Sequence, residues 1–308
     1  MTLQQINYAL MIDECGSMNK AAEKLGISQP TLTNAVRELE NEIGTEIFLR
    51  THKGALPTAK GAEFLRSVGQ LYRQYELVCE KYTGRDVKRK FGVSTQHYTF
   101  AVNAFIETIR QFGTSEFEFV IRETETLKII EDVGSLRSEI GVLYISSSNR
   151  RPITKLLEEN ELEFVLLARC QAYVYLWSGH PLANEPSISL EQLEGYPCLS
   201  FEQEGAKSYI FAEEILSENI YPRKIMATDR ATMGDIMKTL NGYTLCPGIL
   251  CRELHGDDYA IVPFRDDDRN PNRVMEIGYI RKKYASPSEA AERYIEELRK
   301  SIEINTVH

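Results

Sequence analysis

The sequence predicts an α/β protein that carries an all-α winged helix-turn-helix at its N-terminal end, with a long linker helix between the two. Three observations carry this expectation. Residues 16–33 alternate helix stops and helix caps at the spacing of two short crossing helices. From Leu65 to Tyr82 apolar residues recur every three or four positions, as on a helix that pairs with another. Beyond Phe91 strand-like and helix-like segments alternate along the rest of the chain.

The first pattern opens at Gly16-Ser17-Met18-Asn19-Lys20-Ala21-Ala22. Ser17 is placed to cap the helix that follows, and Ala21 and Ala22 are small enough for a second helix to cross close by. Gly26 supplies the positive φ with which a helix stops. Ser28 caps the next helix, and Pro30 sits in its first turn, where a missing N–H costs nothing. Two helices joined this tightly form a helix-turn-helix, the geometry that places the second helix in the major groove of DNA. On that second helix Leu32, Val36, Leu39 and Ile43 fall on one face. Thr33, Asn34 and Arg37 fall opposite, with Gln29 at the tip. Ser28, Gln29, Pro30, Thr31, Thr33, Asn34 and Arg37 are therefore candidate DNA contacts, short hydrogen-bonding groups plus one guanidinium.

The helix ends at Gly44. Thr45–Thr51 reads as a strand, His52-Lys53-Gly54 as a turn and Ala55–Thr58 as a returning strand. A hairpin beside the second helix is a wing, and Arg50 and Lys53 are its candidate contacts to the flanking backbone or minor groove. A surface hairpin with two solvated basic residues is the plainer alternative.

Residues 1–60 resemble the winged helix-turn-helix of LysR-type transcriptional regulators. The resemblance rests on Ala21-Ala22, Leu25, Ser28-Gln29-Pro30, Leu39-Glu40, Gly44, Phe48, Arg50-Thr51 and the pair Thr58 and Gly61. Two positions depart from the family pattern: Asn34 stands where members often carry Arg, and Ala9 where they often carry an aromatic. An amide at position 34 can instead pair bidentately with adenine.

Residues 58–90 form the predicted linker, dimerisation helix and hinge. Thr58 caps the helix. Leu65, Val68, Tyr72, Tyr75, Cys79 and Tyr82 recur at coiled-coil spacing, and Phe64, Leu71 and Val78 widen the stripe. So wide an apolar face predicts a homodimer, with burial against the chain's own C-terminal part as the alternative. The resemblance implies the same pairing, and tetramers beyond it. Thr83-Gly84-Arg85-Asp86 ends the helix and Val87-Lys88-Arg89-Lys90 reads as a basic hinge.

From Phe91 the elements read as a parallel sheet covered by helices. Strands fall at Phe91–Ser94, Glu116–Arg122 and Glu139–Ile145, with helices at 98–112 and 127–134 between them. A second set holds strands at Phe164–Leu176 and Tyr196–Phe201, a helix at Ala206–Glu218, a strand at Ile225–Ala227 and a helix at Thr232–Leu240. Tyr243–Cys246 and Ala260–Phe264 complete it, and Val274–Arg281 returns to the first set. Ser286-Pro287-Ser288-Glu289 opens the last helix. Residues 91–308 thus divide into lobe 1 (91–162 and 265–308) and lobe 2 (163–264), with a cleft between them. The arrangement resembles the effector-binding domain of the same family, which is itself similar to periplasmic solute-binding proteins.

Ligands of such sheets bind outside the C-terminal ends of the strands. That rule selects Ser94, Thr95, Gln96, Thr124, Tyr144, Phe201, Glu202, Thr228 and Pro247 as candidate effector contacts. Ser94, Thr95 and Gln96 precede a helix N-terminus, which favours an organic anion such as a carboxylate. Glu123, Glu125 and Glu202 weigh against a multiply charged anion and would suit the amino group of an amino-acid-like effector. His97, alone in its neighbourhood, reads as structural or solvated. Thr228–Cys246 resembles the matching stretch of regulators of sulfur amino-acid metabolism.

The formal net charge is −9, but it is unevenly spread. Residues 1–90 hold 13 Lys and Arg against 11 Asp and Glu, whereas the other 218 hold 23 against 34. A mildly basic head needs several modules to bind DNA together, and the acidic remainder stays off the duplex. No targeting or membrane segment is visible, which predicts a soluble, cytoplasmic protein. The six cysteines form no C-x-x-C pair, so no zinc site is expected, and no other metal or cofactor. No phosphate-cradling Gly-rich loop or nucleophile elbow is present, and the paired acids Glu158-Glu159 and Asp266-Asp267-Asp268 read as solvated, so no enzyme is predicted. The sequence reads as a ligand-controlled, sequence-specific regulator that binds double-stranded DNA and a small-molecule effector. Two alternatives remain: a redox-gated regulator using Cys198 with Cys246 or Cys251, or a solute-binding α/β protein that its N-terminal helices merely dimerise.

Overall fold

The computed structural model describes residues 1–51, 54–83, 89–113, 116–203, 208–265 and 274–306. It separates into two compact units, Met1–Val87 and Lys88–His308.

The first unit begins with α1 (Leu3–Cys15), α2 (Met18–Leu25) and α3 (Gln29–Ile43). Each stops at a glycine in the left-handed region: Gly16, Gly26 and Gly44, at φ of 60°, 65° and 67°. Ser28 caps α3 by accepting from the Thr31 amide at 3.3 Å, and Pro30 occupies the first turn. Ser17 stands at the start of α2, but its hydroxyl makes no capping bond, contrary to expectation. Ala9, Ile12, Ala21, Leu32, Val36 and Leu39 are fully buried, so the three helices share one small core.

The wing is an antiparallel hairpin of β1 (Phe48–Thr51) and β2 (Gly54–Pro57). Its turn residues His52 and Lys53 lie outside the described residues. Two contacts anchor it. The Ala55 amide donates to the Gly16 carbonyl at 3.0 Å, and a Cβ on Gly54 would come within 2.3 Å of that same oxygen. The Glu40 carboxylate, reaching from α3, accepts from the Ile47 and Phe48 amides at 2.8 and 3.2 Å. Then α4 (Ala59–Thr83) starts where Thr58 accepts from the Gly61 amide at 2.8 Å. Gly61 is obligatory there, because a Cβ would stand 2.0 Å from the Ile47 carbonyl oxygen.

The second unit starts with β3 (Arg89–Thr95), α5 (Thr99–Phe112), β4 (Phe117–Glu123), α6 (Thr126–Gly134) and β5 (Ile140–Ile145). It continues with α7 (Arg150–Glu159), β6 (Leu162–Gln171), β7 (Tyr173–Trp177), β8 (Ile188–Ser189), α8 (Leu190–Leu193) and β9 (Cys198–Phe201). A 3₁₀ turn at Ser208–Phe211 precedes β10 (Lys224–Ala227), α9 (Arg230–Leu240), β11 (Thr244–Cys246) and α10 (Arg252–His255). Finally come β12 (Tyr259–Arg265), β13 (Val274–Lys282) and α11 (Glu289–Asn305). One sheet has the order β4-β3-β5-β13-β6 and the other β11-β7-β12-β8, with β9 and β10 paired beside the second.

Three expectations are corrected. The sheets are mixed: β4, β3 and β5 run parallel, but β13 is antiparallel to both its neighbours, and β7 to β11 and β12. The single strand expected at 164–176 is two, because the buried Ala172 carries the chain from one sheet to the other and accepts from the Phe264 amide at 3.1 Å. The helix expected at 206–218 does not form over the described residues 208–218. There the chain makes the 3₁₀ turn and then bends, with Leu216 at φ 60°. Ala212, Glu213, Glu214, Ile215 and Leu216 are all buried, so tertiary contacts on every side of the segment replace the one-faced pattern of a helix.

Candidate functional site

In the first unit, α3 turns its buried stripe inward and exposes Ser28, Gln29, Pro30, Thr31, Asn34 and Arg37. Arg37 forms no ion pair among the described residues. Thr33 is not on that face: only 9% of its surface is exposed, and its hydroxyl accepts from the Gln29 amide at 2.8 Å. Thr33 therefore fixes the Gln29 side chain and has little surface left for another partner. Arg50 lies in β1, but its side chain and all of Lys53 fall outside the described residues.

In the second unit a cavity of about 130 Å³ opens between the start of α5, β9, α9 and β11. Tyr175, Phe201, Met233, Met237, Ile249 and Tyr259 supply its apolar wall. The Tyr175 and Tyr259 rings stack with centroids 5.1 Å apart. Polar groups meet there in pairs. The His97 ring lies flat on Phe201, 3.7 Å between centroids, and its Nδ1 sits 2.9 and 3.0 Å from the two Glu213 oxygens. Facing a carboxylate, Nδ1 carries the proton. The His97 backbone amide and the Gln203 side chain also donate to Glu213, at 2.7 and 3.1 Å. Arg230 Nε donates to Glu123 at 3.0 Å, and burial raises the Glu123 carboxyl above its ordinary range despite that cation.

Glu214 differs from Glu213. Its Oε1 accepts from the Phe201 amide at 2.7 Å, but its buried Oε2 has no partner, and neither has the buried Thr244 hydroxyl. Burial first, and the neighbouring Glu213 second, push the Glu214 carboxyl up to about 8.

Of the residues the strand-end rule selected, Phe201 and Pro247 line this cavity. Ser94, Thr95 and Gln96 are fully buried and outside its wall. Ser94 donates to Asp132 at 2.7 Å, Thr95 to the Gln96 carbonyl, and Gln96 to Thr126 while accepting from Tyr98 and the Tyr144 amide. Tyr144 is buried as well, its hydroxyl bonded to the Glu214 carbonyl at 3.1 Å. Thr124, Glu202 and Thr228 also fall outside the wall, the last two on the exposed surface. The physical reason is that β3 stops short of α5. Its final polar side chains stitch the interior, and His97, set aside on sequence, is the residue that reaches the cavity. Glu213 and Glu214 were hidden in the segment expected to be helical, and Arg230, Thr244, Tyr175 and Tyr259 carried no local signal.

The cysteines are all free. Burial pushes the thiols of Cys198 and Cys246 up to about 12 and raises that of Cys251. Such thiols hold almost no thiolate near neutrality, which disfavours redox gating through them. Among the described residues no three His, Cys, Asp or Glu side chains gather as a metal site, and no helix is long and apolar enough to cross a membrane.

Comparison with known proteins matches this architecture. Residues 3–62 fit the model of the bacterial regulatory helix-turn-helix proteins of the lysR family, and residues 116–303 fit that of the LysR substrate binding domain. The chain is 25% identical over 256 residues to the Hca operon transcriptional activator HcaR of Escherichia coli, covering 81% of this chain and 83% of that protein. It is 23% identical over 303 residues to the uncharacterized regulator YybE of Bacillus subtilis, covering 96% and 98%. A full-length OxyR variant from Pseudomonas aeruginosa shares the fold with a TM-score of 0.68 at 17% identity, over 99% of this chain and 95% of that one. Full-length CbnR in complex with its target DNA does so with a TM-score of 0.56 at 18% identity, over 98% and 100%. The helix-turn-helix head and the cavity-bearing α/β unit, matched together in one chain, show that this protein belongs to the LysR family of DNA-binding transcriptional regulators with an effector-binding domain.

Proposed function

We propose that this chain reads a specific operator as a dimer and that the cavity behind His97 and Arg230 controls that reading. The observation that carries it is α3: Leu32, Val36 and Leu39 of its apolar stripe are fully buried, while Ser28, Gln29, Pro30, Thr31, Asn34 and Arg37 stand exposed together. In this reading Asn34 and Gln29 address base edges, Arg37 a guanine or a phosphate, and Arg50 and Lys53 the flanking backbone. Thr33 acts through Gln29.

Residues 1–60 are the head, 58–90 the linker and hinge, and 91–308 the effector domain, with lobes at 91–162 plus 265–308 and at 163–264. Dimerisation is supported by α4, where Leu71, Tyr75 and Val78 leave 50, 43 and 56% of their surface exposed along one stripe. Two heads then meet two half-sites, and a dimer of such dimers is the larger assembly. The effector favours one arrangement of the lobes over another, and the difference in affinity sets how far it shifts the population. No residue is assigned a catalytic role, and the protein works in the cytoplasm, where its DNA is.

Fluorescence anisotropy with the DNA upstream of its own gene, at two salt concentrations, tests the reading. Arg37→Ala is expected to weaken specific binding by about tenfold or more. Unchanged affinity and an unchanged salt slope would overturn the role of α3.

A further inference from the structure

The cavity's charges are already spoken for. His97 is held by Glu213 and Arg230 by Glu123, so the imidazole and the guanidinium at the wall each face a carboxylate within 3.0 Å. A ligand anion would have to compete with those carboxylates inside a desolvated site. Three N–H donors converge on Glu213, whereas Glu214 accepts from the Phe201 amide and lies beside its own amide, with Oε2 left open. Two adjacent buried carboxyls do not both ionise cheaply, so the proton resides on Glu214. Its position on Oε2 gives a buried O–H with nothing to donate to, on a residue only 7% exposed. The Thr244 hydroxyl is the second such group on the same wall. A buried donor left without an acceptor is destabilising, and a ligand that supplies one relieves it.

Size adds a further constraint. A dry apolar cavity of about 150 Å³ takes a benzene-sized molecule, and this one is of that order.

We propose that the cavity takes an uncharged molecule of single-ring size that carries an acceptor oxygen, a carbonyl or hydroxyl, for Glu214, with Thr244 as the second polar contact. The inference rests on the cavity being the effector site, and it replaces the organic anion expected from the strand ends. An ammonium group fits no better than an anion, since it would meet a protonated acid and have to displace its proton.

Four probes that share a ring decide the matter: acetophenone, benzoate, benzylammonium and toluene, each titrated calorimetrically into the full chain, with DNA binding measured on the same samples. Acetophenone is expected to bind about tenfold tighter than the other three. Glu214→Gln, which keeps an N–H donor in the same place, retains that preference, and Glu214→Leu brings acetophenone to the level of toluene. The inference is overturned if benzoate or benzylammonium binds tightest, if toluene matches acetophenone, if none of the four binds, or if both Glu214 variants behave as the parent. Specific DNA binding that survives such a result leaves the regulator reading standing, whereas its absence from the parent chain would remove that reading independently.

Discussion

Glu40 couples the recognition helix to the wing, and its removal has a computable cost. The carboxylate accepts from two amides, Ile47 at 2.8 Å and Phe48 at 3.2 Å, and both residues are nearly inaccessible, at 0 and 4% exposure. Glu40→Ala strips the acceptor from both. A buried amide without a partner costs about 1–3 kcal/mol. Because Glu40 itself is half-buried, water reaches the gap and the lower figure applies to each amide, about 2 kcal/mol in all. That is about a 30-fold rise in local opening. Glu40→Gln keeps a carbonyl oxygen and loses only the ionic reinforcement, about 1 kcal/mol. Hydrogen exchange followed by mass spectrometry over residues 45–51 of the full chain reads this directly, and operator affinity should fall in the same order. Equal exchange in the Ala and Gln variants, or less than a twofold change in the Ala variant, would refute the coupling.

Three further outcomes are expected. Leu71→Glu combined with Val78→Glu puts charges on the exposed stripe of α4 and should convert dimers to monomers in sedimentation velocity, and an unchanged sedimentation coefficient would count against pairing there. Cys198, with its thiol near 12, should react with iodoacetamide at neutral pH on the order of a thousandfold slower than an ordinary cysteine, and rapid labelling of the folded protein would reinstate a redox role. Glu214 binds its proton more tightly folded (about 8) than unfolded (4.5), so its contribution to stability is fully present below pH 4.5 and is lost as pH rises through 8. Between those limits the parent should lose stability relative to Glu214→Gln by up to about 1.4 kcal/mol per pH unit, and parallel urea midpoints for the two would contradict the assignment.

The head was legible because its signals are local. Glycine stops, a serine cap, a proline in the first turn and a four-residue apolar spacing each act within a few residues, and Gly16, Gly26, Ser28 and Pro30 all occupy the expected places. Thr33 was misjudged because a helical wheel gives its direction but not the neighbour that covers it. The α/β unit was legible as alternating elements and illegible as a site. Helix α7 carries a readable pair, Ile153 and Leu157, both buried, yet no helix was expected there. Glu213 and Glu214 matter only through partners distant in sequence, His97 and Phe201 among them, and no local pattern shows that a carboxylate will be buried. The strand-end rule pointed to the end of the sheet at which the cavity opens, through Phe201 and Pro247, yet chose other side chains that face inward, since Ser94 and Gln96 already had partners at Asp132 and Thr126.

The passage from β6 to β7 through one buried residue constrains how this protein can change. Val174 and Leu176 are fully buried, and they alternate with Tyr173, Tyr175 and Trp177, which are partly exposed. Side chains on a strand alternate with a period of two, so one residue inserted beside Ala172 would turn Val174 and Leu176 out and their neighbours in. The length of this crossing is therefore fixed by the alternation of β7. Related sequences should accumulate insertions and deletions elsewhere and leave residues 170–175 at constant length.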